Sequence, residues 1–288
     1  MHEDLGMSKK PLLTVEDLKV SFPTRKGLVE AVRGISFSLG REKLGIVGES
    51  GSGKSMTGRS ILRLVSHPGV VTARRLEFDG IDLQRASEAE MRRIRGQRIS
   101  MVMQDPKFSL NPVMRVGEQI AEAYRTHQKV APAEANKRAL DMLKAVRIRD
   151  PERVFRAYPH EVSGGMGQRI MIAMMLIPDP DLLIADEPTS ALDVTVQLQV
   201  LAILDDLVSQ RGMGLIFISH DLNLVASFCD RVVIMYAGRI MEICDAKNLA
   251  AAQHPYTRGL LNCLPRLDDA GGELPVLKRD PAWLEHGL

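Results

Sequence analysis

Cysteine is scarce in this chain, and aromatic residues are few. The three cysteines, Cys229, Cys244 and Cys263, are scattered and odd in number. They form neither a metal-ligand spacing nor a disulfide framework, which suits a reducing compartment. Aromatic residues make up 4% of the 288, so there are few platforms on which single-stranded bases could stack. Neither sign of charge dominates. The 38 basic and 36 acidic side chains leave a net +2, which is neither a nucleic-acid footprint nor an acidic tail. Long apolar runs are missing as well: Ile170 to Ile177 falls far short of the ~20 residues that span a bilayer. The polar stretch Met1 to Lys10 lacks a signal-peptide pattern. The chain is therefore expected to be soluble by itself, and a partner must hold it if it works at a membrane. Its 45% hydrophobic content is ordinary, and 288 residues suit one large domain or two modest ones. No internal repeat or low-complexity tract is visible.

What is present centres on Gly48-Glu49-Ser50-Gly51-Ser52-Gly53-Lys54-Ser55. The stretch fits the phosphate-loop pattern G-x-x-x-x-G-K-[ST]. Lys43 to Val47 before it reads as a short buried strand. Ser55 to Val65 after it reads as a helix, with Met56, Ile61, Leu62 and Val65 available for a buried face. The glycines let the backbone turn tightly and aim successive N–H groups at an anion, and the helix start adds donors and a favourable dipole end. Lys54 places a point charge on the β- and γ-phosphates, and the Ser55 hydroxyl can ligate Mg²⁺.

Around this loop the patterns alternate between strand and helix. Leu12 to Phe22 reads as a half-buried strand, and Ile35, Phe37 and Leu39 repeat its period, giving an antiparallel pair. Leu76-Glu77-Phe78, Asp79-Gly80 and Ile81-Asp82-Leu83 spell a hairpin. Arg98 to Met103 is another strand. From Asp105 to Val162 strands disappear, and Val116–His127, Pro132–Val146 and Pro151–Ala157 read as a helical insert. Strands resume at Leu182–Ala185, Leu215–Ser219 and Arg231–Tyr236. Between the first two runs a helix, Val194 to Arg211, that stops at Gly212. Ala237-Gly238 turns the last strand back through Ile243. Strands separated by helices indicate an α/β fold around a parallel sheet, with phosphate ligands at the carboxyl ends of its strands. The tail after Asp245 reads as a short helical stretch and a peripheral end carrying Trp283.

Three further features carry chemistry. The apolar strand Leu182–Ala185 ends in Asp186 and Glu187. Asp186 would hold Mg²⁺ opposite Ser55. Glu187, one residue on, can orient or deprotonate an attacking water. His220 follows the apolar strand Leu215–Ser219 and could reach the same γ-phosphate edge. Ser163-Gly164-Gly165 opens an apolar helix with a natural N-cap and bare backbone N–H groups. That second anion-binding turn has no lysine and no carboxylate beside it. It can hold a phosphate but not process one, so one chain carries a full site and a half-site, and the half-site would serve another subunit's nucleotide.

The order of phosphate loop, Gln104, Ser163-Gly164-Gly165, Asp186-Glu187, Ser190-Ala191-Leu192-Asp193 and His220 resembles the ATP-binding cassette of ABC transporters, from about Leu12 to Asp245. The resemblance implies a RecA-like core with an antiparallel β subdomain (12–104 and 179–245), a helical subdomain (105–178) and a C-terminal extension (246–288). It implies ATP and Mg²⁺ as ligands and an ATP-sandwich dimer, in which Ser163 and Gly165 of one subunit close on the γ-phosphate held at Lys54 of the other. It further implies adenine stacked on Phe22 and Gln104 joining the nucleotide and its Mg²⁺ to the membrane-facing surface. Asp193 would communicate across the dimer, and His220 would hold the γ-phosphate with Glu187.

Gln104-Asp105-Pro106, Ser109-Leu110-Asn111-Pro112, Tyr158-Pro159-His160-Glu161 and His254 to Leu261 resemble the oligopeptide, dipeptide and nickel importer ATPases within that family. The implied activity is ATP hydrolysis coupled to solute uptake, at the cytoplasmic face of the inner membrane. The implied partners are two transmembrane permease subunits, a second cassette and, indirectly, a periplasmic solute-binding protein; nucleic acid is not among them. Gly167 departs from the pattern, standing where the family usually has a basic residue, which could weaken dimer closure. The short tail lacks the cysteine-rich end of many relatives, so no iron–sulfur cluster is carried over. Two other readings stay open: a cassette ATPase acting on DNA or ribosomes, and a kinase or GTPase using the same loop. The first lacks a second cassette or coiled-coil insert. The second leaves Ser163-Gly164-Gly165 unused and has no Asn-Lys-x-Asp segment.

Overall fold

Two strands that bury alternate residues begin the fold. β1 (Leu13–Thr24) and β2 (Gly27–Leu39) pair antiparallel, from Leu13 opposite Leu39 to Thr24 opposite Gly27. The register slips between Val15 and Leu18, where Asp17 takes a left-handed φ of 50°. This irregularity explains why the alternation is clean only in the second half of β1. The computed structural model describes residues 10–103, 109–190, 192–263, 280–284 and 287. Gln104 and Ala191 lie outside the described residues, as do the expected motif residues Asp105 and Pro106.

β5 (Arg75–Phe78) and β6 (Ile81–Asp82) form the expected hairpin. Asp79 and Gly80 turn between them at φ 47° and 85°, the two left-handed positions that match strand twist. β4 (Val70–Thr72), which the sequence pattern does not reveal, pairs with β1 and completes an antiparallel sheet of order β2-β1-β5-β6.

The second sheet carries the site. β3 (Lys43–Gly48), β7 (Ile99–Val102), β8 (Leu182–Asp186), β9 (Gly214–Ser219) and β10 (Arg231–Tyr236) run parallel, and β11 (Arg239–Asp245) returns antiparallel, in the order β11-β10-β3-β9-β8-β7. Both faces are buried, so the strands read as continuous apolar runs. The period of two still operates. Leu215 and Phe217 of β9 enter one core, and Ile216 and Ile218 enter the other, which is shared with the antiparallel sheet.

The helix after the phosphate loop, α1 (Lys54–Ile61), is shorter than the sequence reading; Ile61 and Leu62 are buried as expected, and Met56 and Val65 are half-buried against the same core. Arg63 at φ 53° ends the run before Val65. Within the helix the buried residues are Lys54, Thr57, Gly58, Ser60 and Ile61, while Met56 also lines the cleft beside the phosphate loop. At Gly58 the sheet comes too close for a larger side chain: a Cβ there would lie 3.1 Å from Ile184 Cγ2. α2 (Glu88–Ile94) was not anticipated, although Ser87 and Glu90 form a complete capping box that marks its start.

Between β7 and β8 the chain is helical: α3 (Val116–His127), α4 (Pro132–Ala145), α5 (Pro151–Arg156) and α6 (Gly164–Leu176). Their apolar faces, with Ile120, Leu143, Val154 and Ile172 fully buried, join the core on one face of the parallel sheet. α7 (Val194–Arg211) ends at Gly212 in the left-handed conformation, as its sequence predicts. α8 (Leu222–Phe228) follows β9.

The tail is less peripheral than expected. After α9 (Pro255–Asn262), Trp283 returns edge-on to Tyr236 and Tyr256, at centroid distances of 6.2 and 5.6 Å. The cysteines Cys229, Cys244 and Cys263 are free. Among the described residues no helix is long and apolar enough to cross a membrane.

Candidate active site

β3 delivers the phosphate loop to the carboxyl edge of the sheet, and the loop is fastened from behind. The Ser52 amide donates to Glu49 O at 3.1 Å, and the Gly238 amide, in the β10–β11 turn, donates to Ser52 O at 3.1 Å. Gly48 is required for space rather than for rotation: a Cβ there would sit 2.1 Å from Met235 O. Gly53 is required for both reasons, since its φ is +98° and a Cβ would lie 2.6 Å from Ala31 O. The Lys54 ammonium donates to Gly48 O and Glu49 O, each at 2.8 Å, so its head is held over the loop. Lys54 is 6% exposed. Burial pulls its pKa down, and Glu187, Asp186 and Glu49 pull it back up.

β8 ends with Asp186 beneath the loop. Ser55 Oγ donates to Asp186 Oδ1 at 2.8 Å. Burial raises the Asp186 pKa, only partly countered by the Ser55 hydrogen bond and the charges of Arg59 and Lys54. A buried carboxylate beside a hydroxyl is a pair of hard oxygen donors with too little positive charge nearby. That is the donor chemistry Mg²⁺ takes when phosphates supply its other ligands, so these residues fit the ion.

The next residue is strained. Glu187 adopts φ 47°, a left-handed conformation that a non-glycine residue takes at a cost of order 1–3 kcal/mol. Its amide donates to Ile218 O at 2.9 Å, which fastens the turn to β9. The reversal aims its carboxylate at His220, with Nδ1 3.3 Å from Glu187 Oε1. His220 is largely exposed, at the end of β9.

Gly53, Lys54, Ser55, Glu187 and His220 line one cleft of about 550 Å³ with Phe22, Ser50, Gly51 and Met56. Ala31 also lines it, and nothing in the sequence pattern marks that residue as a wall. Ser163, Gly164, Gly165 and Asp193 are not in this cleft. They line a second one of about 640 Å³. Ser163 is the N-cap of α6, and its hydroxyl accepts from the Met166 amide at 3.4 Å. Asp193 caps α7 by accepting from the Val196 amide at 3.0 Å. Val196 in turn packs on Gly165, where a Cβ would lie 2.6 Å from its Cγ1. The second cleft therefore has donors and cations but neither the Lys54 ammonium nor the Asp186–Glu187 pair.

The family model described as "ABC transporter" matches residues 32–190, more than half of the chain. The chain belongs to the ABC transporter family. The ABC proteins it is similar to include the dipeptide transport ATP-binding protein DppD of Bacillus subtilis, 49% identical over 94% of this chain and 82% of the relative. The oligopeptide transport ATP-binding protein OppD of Salmonella typhimurium is 46% identical over 94% and 81%. Among solved structures, the dimeric bacterial ABC transporter cassette MJ0796 superimposes with a TM-score of 0.73 at 26% identity, covering 82% of this chain and 99% of that one. The same cassette in a post-hydrolysis dimer bound to ADP and Pi also gives 0.73, at 25% identity. The chain therefore has the ABC cassette fold.

Proposed function

We propose that this chain is the ATP-hydrolysing subunit of a bacterial ABC importer of the peptide class. One observation carries the reading: a cleft equipped to bind and cleave a triphosphate lies apart from a donor-rich turn that can only hold one. Two copies, or this chain and a paralogue, complete each other's sites by sandwiching ATP. The peptide class rests on relatives named as dipeptide and oligopeptide transport ATP-binding proteins.

In this reading Phe22 stacks on adenine. The backbone from Gly48 through Glu49, Ser50, Gly51, Ser52 and Gly53 cradles the phosphates, and Lys54 neutralises the β- and γ-oxygens. Ser55 and Asp186 would hold Mg²⁺, with Gln104 as a further contact. The ion, when bound, draws electron density from the phosphoryl oxygens. Glu187 accepts a proton from the attacking water, and its strained backbone and His220 fix where that carboxylate points. His220 also donates to the γ-phosphate edge. Ser163, Gly164 and Gly165 of the partner close over the same phosphate, and Asp193 lies across the dimer from its counterpart. Residues 12–104 and 179–245 form the nucleotide-binding core, 105–178 the helical subdomain and 246–288 an importer-type extension.

Two permease subunits hold the protein as a peripheral component at the cytoplasmic face of the inner membrane, and a periplasmic binding protein supplies solute to them. Closing and opening of the cassettes drives the permeases between their two orientations. The test is ATP turnover by the chain reconstituted with its permeases in lipid. Stimulation by peptide-loaded binding protein supports the reading. Stimulation by DNA or ribosomes, with none by the loaded binding protein, overturns it in favour of the soluble cassette ATPase.

A further inference from the structure

The second cleft holds more positive charge than a capped helix start needs. It is lined by Arg147, Arg149, Arg153 and Arg169, against the carboxylates of Asp150 and Asp193. Three of the four guanidinium groups are occupied. Arg147 pairs with Asp206, Arg153 Nε lies 3.4 Å from Asp150 Oδ2, and Arg169 donates to Gln199 Oε1 at 2.6 Å and to Arg147 O at 3.2 Å. Arg149 has no hydrogen-bond or ion-pair partner among the described residues, and it is exposed. Its backbone is nevertheless fixed. Arg147 ends α4 at φ 58°, Ile148 is buried at 6% exposure, and Asp150 caps α5 through the Arg153 amide at 3.2 Å. An anchored backbone presents the free guanidinium to a concave wall that also bears the open N–H face at Gly164, where a Cβ would meet nothing within 4 Å. Burial lowers the Arg169 pKa, and the charges of Arg147 and Arg149 lower it further, so the wall is crowded with like charge.

We infer that Arg149 is a nucleotide-binding residue acting in trans. In the closed dimer it pairs with the triphosphate carried by the partner cassette, beside the Ser163–Gly165 turn. This inference rests on the sandwich reading above. An isolated surface arginine is usually just solvated. Here Arg147, Arg153 and Arg169 line the same cleft, and none of its acids is a partner of Arg149, so the lining suits a polyanion. A triphosphate supplies both the charge and the planar oxygen pairs that a guanidinium grips in bidentate fashion.

The experiment is ATP–Mg²⁺-dependent dimerisation of the full chain in a Glu187→Gln background, followed by sedimentation velocity at low and high salt. Ser163→Glu in that background tests the sandwich itself, and Arg149→Gln, Arg149→Glu and Arg149→Lys test the inference. The expected results are a parent that dimerises with ATP and a Ser163→Glu variant that does not. Arg149→Gln should dimerise about ten-fold or more weakly, as for a lost charge-assisted hydrogen bond, and Arg149→Lys should recover most of the loss. Arg149→Glu should abolish dimerisation, and high salt should narrow the gap between Gln and parent. ATP binding to each monomer should be unchanged, since Arg149 is outside that cleft. If the parent and the Ser163→Glu variant behave as expected but Arg149→Glu dimerises like the parent, the inference fails and the sandwich stands. If the parent does not dimerise, or Ser163→Glu dimerises as well as the parent, the sandwich reading and the inference fall together.

Discussion

The cleft over the phosphate loop and the cleft beside α6 both offer backbone donors at a helix start, yet they are built on opposite principles. The first concentrates unfavourable terms: a lysine 6% exposed, a carboxylate whose pKa is raised by burial, and a glutamate at φ 47°. The second has helix starts capped by Ser163 and Asp193 and an exposed guanidinium, and its own left-handed residue, Arg147 at φ 58°, and partly buried Arg169 belong to the wall rather than to a reacting group. In the proposed catalytic cleft the unfavourable terms fall on the reacting groups themselves, and groups held in place before a reaction need no reorganisation during it. A surface that only has to recognise a phosphate can be assembled from ordinary caps.

The largest test of this contrast removes the proposed base. Glu187→Gln should cut phosphate release by about 10²–10⁴-fold, the usual worth of general-base catalysis, with ATP affinity retained by equilibrium dialysis. Near-normal turnover would take Glu187 out of that role. Next, Ser163→Glu places negative charge on the recognition side only. Turnover should fall by roughly 10²–10³-fold, the scale of a lost oxyanion donor, while ATP still binds each monomer normally. A weakened monomer affinity instead would mean that the two clefts are not separate.

Asp186→Asn probes the buried charge through stability. The native pKa of Asp186 is raised, so the native state keeps its proton to higher pH than the unfolded chain. Wild-type stability therefore falls as pH climbs from the unfolded value of 3.8 through the raised native value, and neutral pH carries the full cost. The variant should lose turnover yet gain Tm at pH 7–8 without ligand, by about 2–4 °C for each kcal/mol released. The gain should shrink towards pH 4. An equal gain at both pH values would remove the charge from the explanation. The smallest effect separates neighbouring glycines in the second cleft. Gly165→Ala must displace the stiff Val196 side chain and should lower Tm by a few degrees, on the order of the 1–3 kcal/mol of a core overpacking. Gly164→Ala meets open space and should change Tm little. Differential scanning fluorimetry reads both.

Much of the architecture was legible because local rules and tertiary packing agreed. α7 starts and stops at the residues its periodicity and Gly212 dictate, and the Asp79-Gly80 turn takes the backbone its residue types favour. The readings that missed did so where packing overrode pattern. Ile61 and Leu62 are buried as their spacing suggested, but Met56 and Val65 are only half-buried against the same core, and the closest approach of the sheet falls on Gly58. Trp283 was read as peripheral, because nothing local links it to Tyr236 and Tyr256, each far away along the chain. Ala31 was overlooked because an alanine in a strand gives no signal of the space beside it.

The linear order of residues sufficed to name the family pattern and the parallel sheet, and to propose roles for Lys54, Asp186 and Glu187, since those follow from residue type, spacing and strand–loop–helix context. It also determined that Ser163 would cap a helix. Which groups share a cleft was decided only by the folded chain: His220 against Glu187 at 3.3 Å, the left-handed turn that aims that carboxylate, and the gathering of Arg147, Arg149, Arg153 and Arg169 around the second turn. Short-range rules specify elements. The distance between side chains from separate elements depends on how layers pack, and a one-dimensional pattern does not encode it.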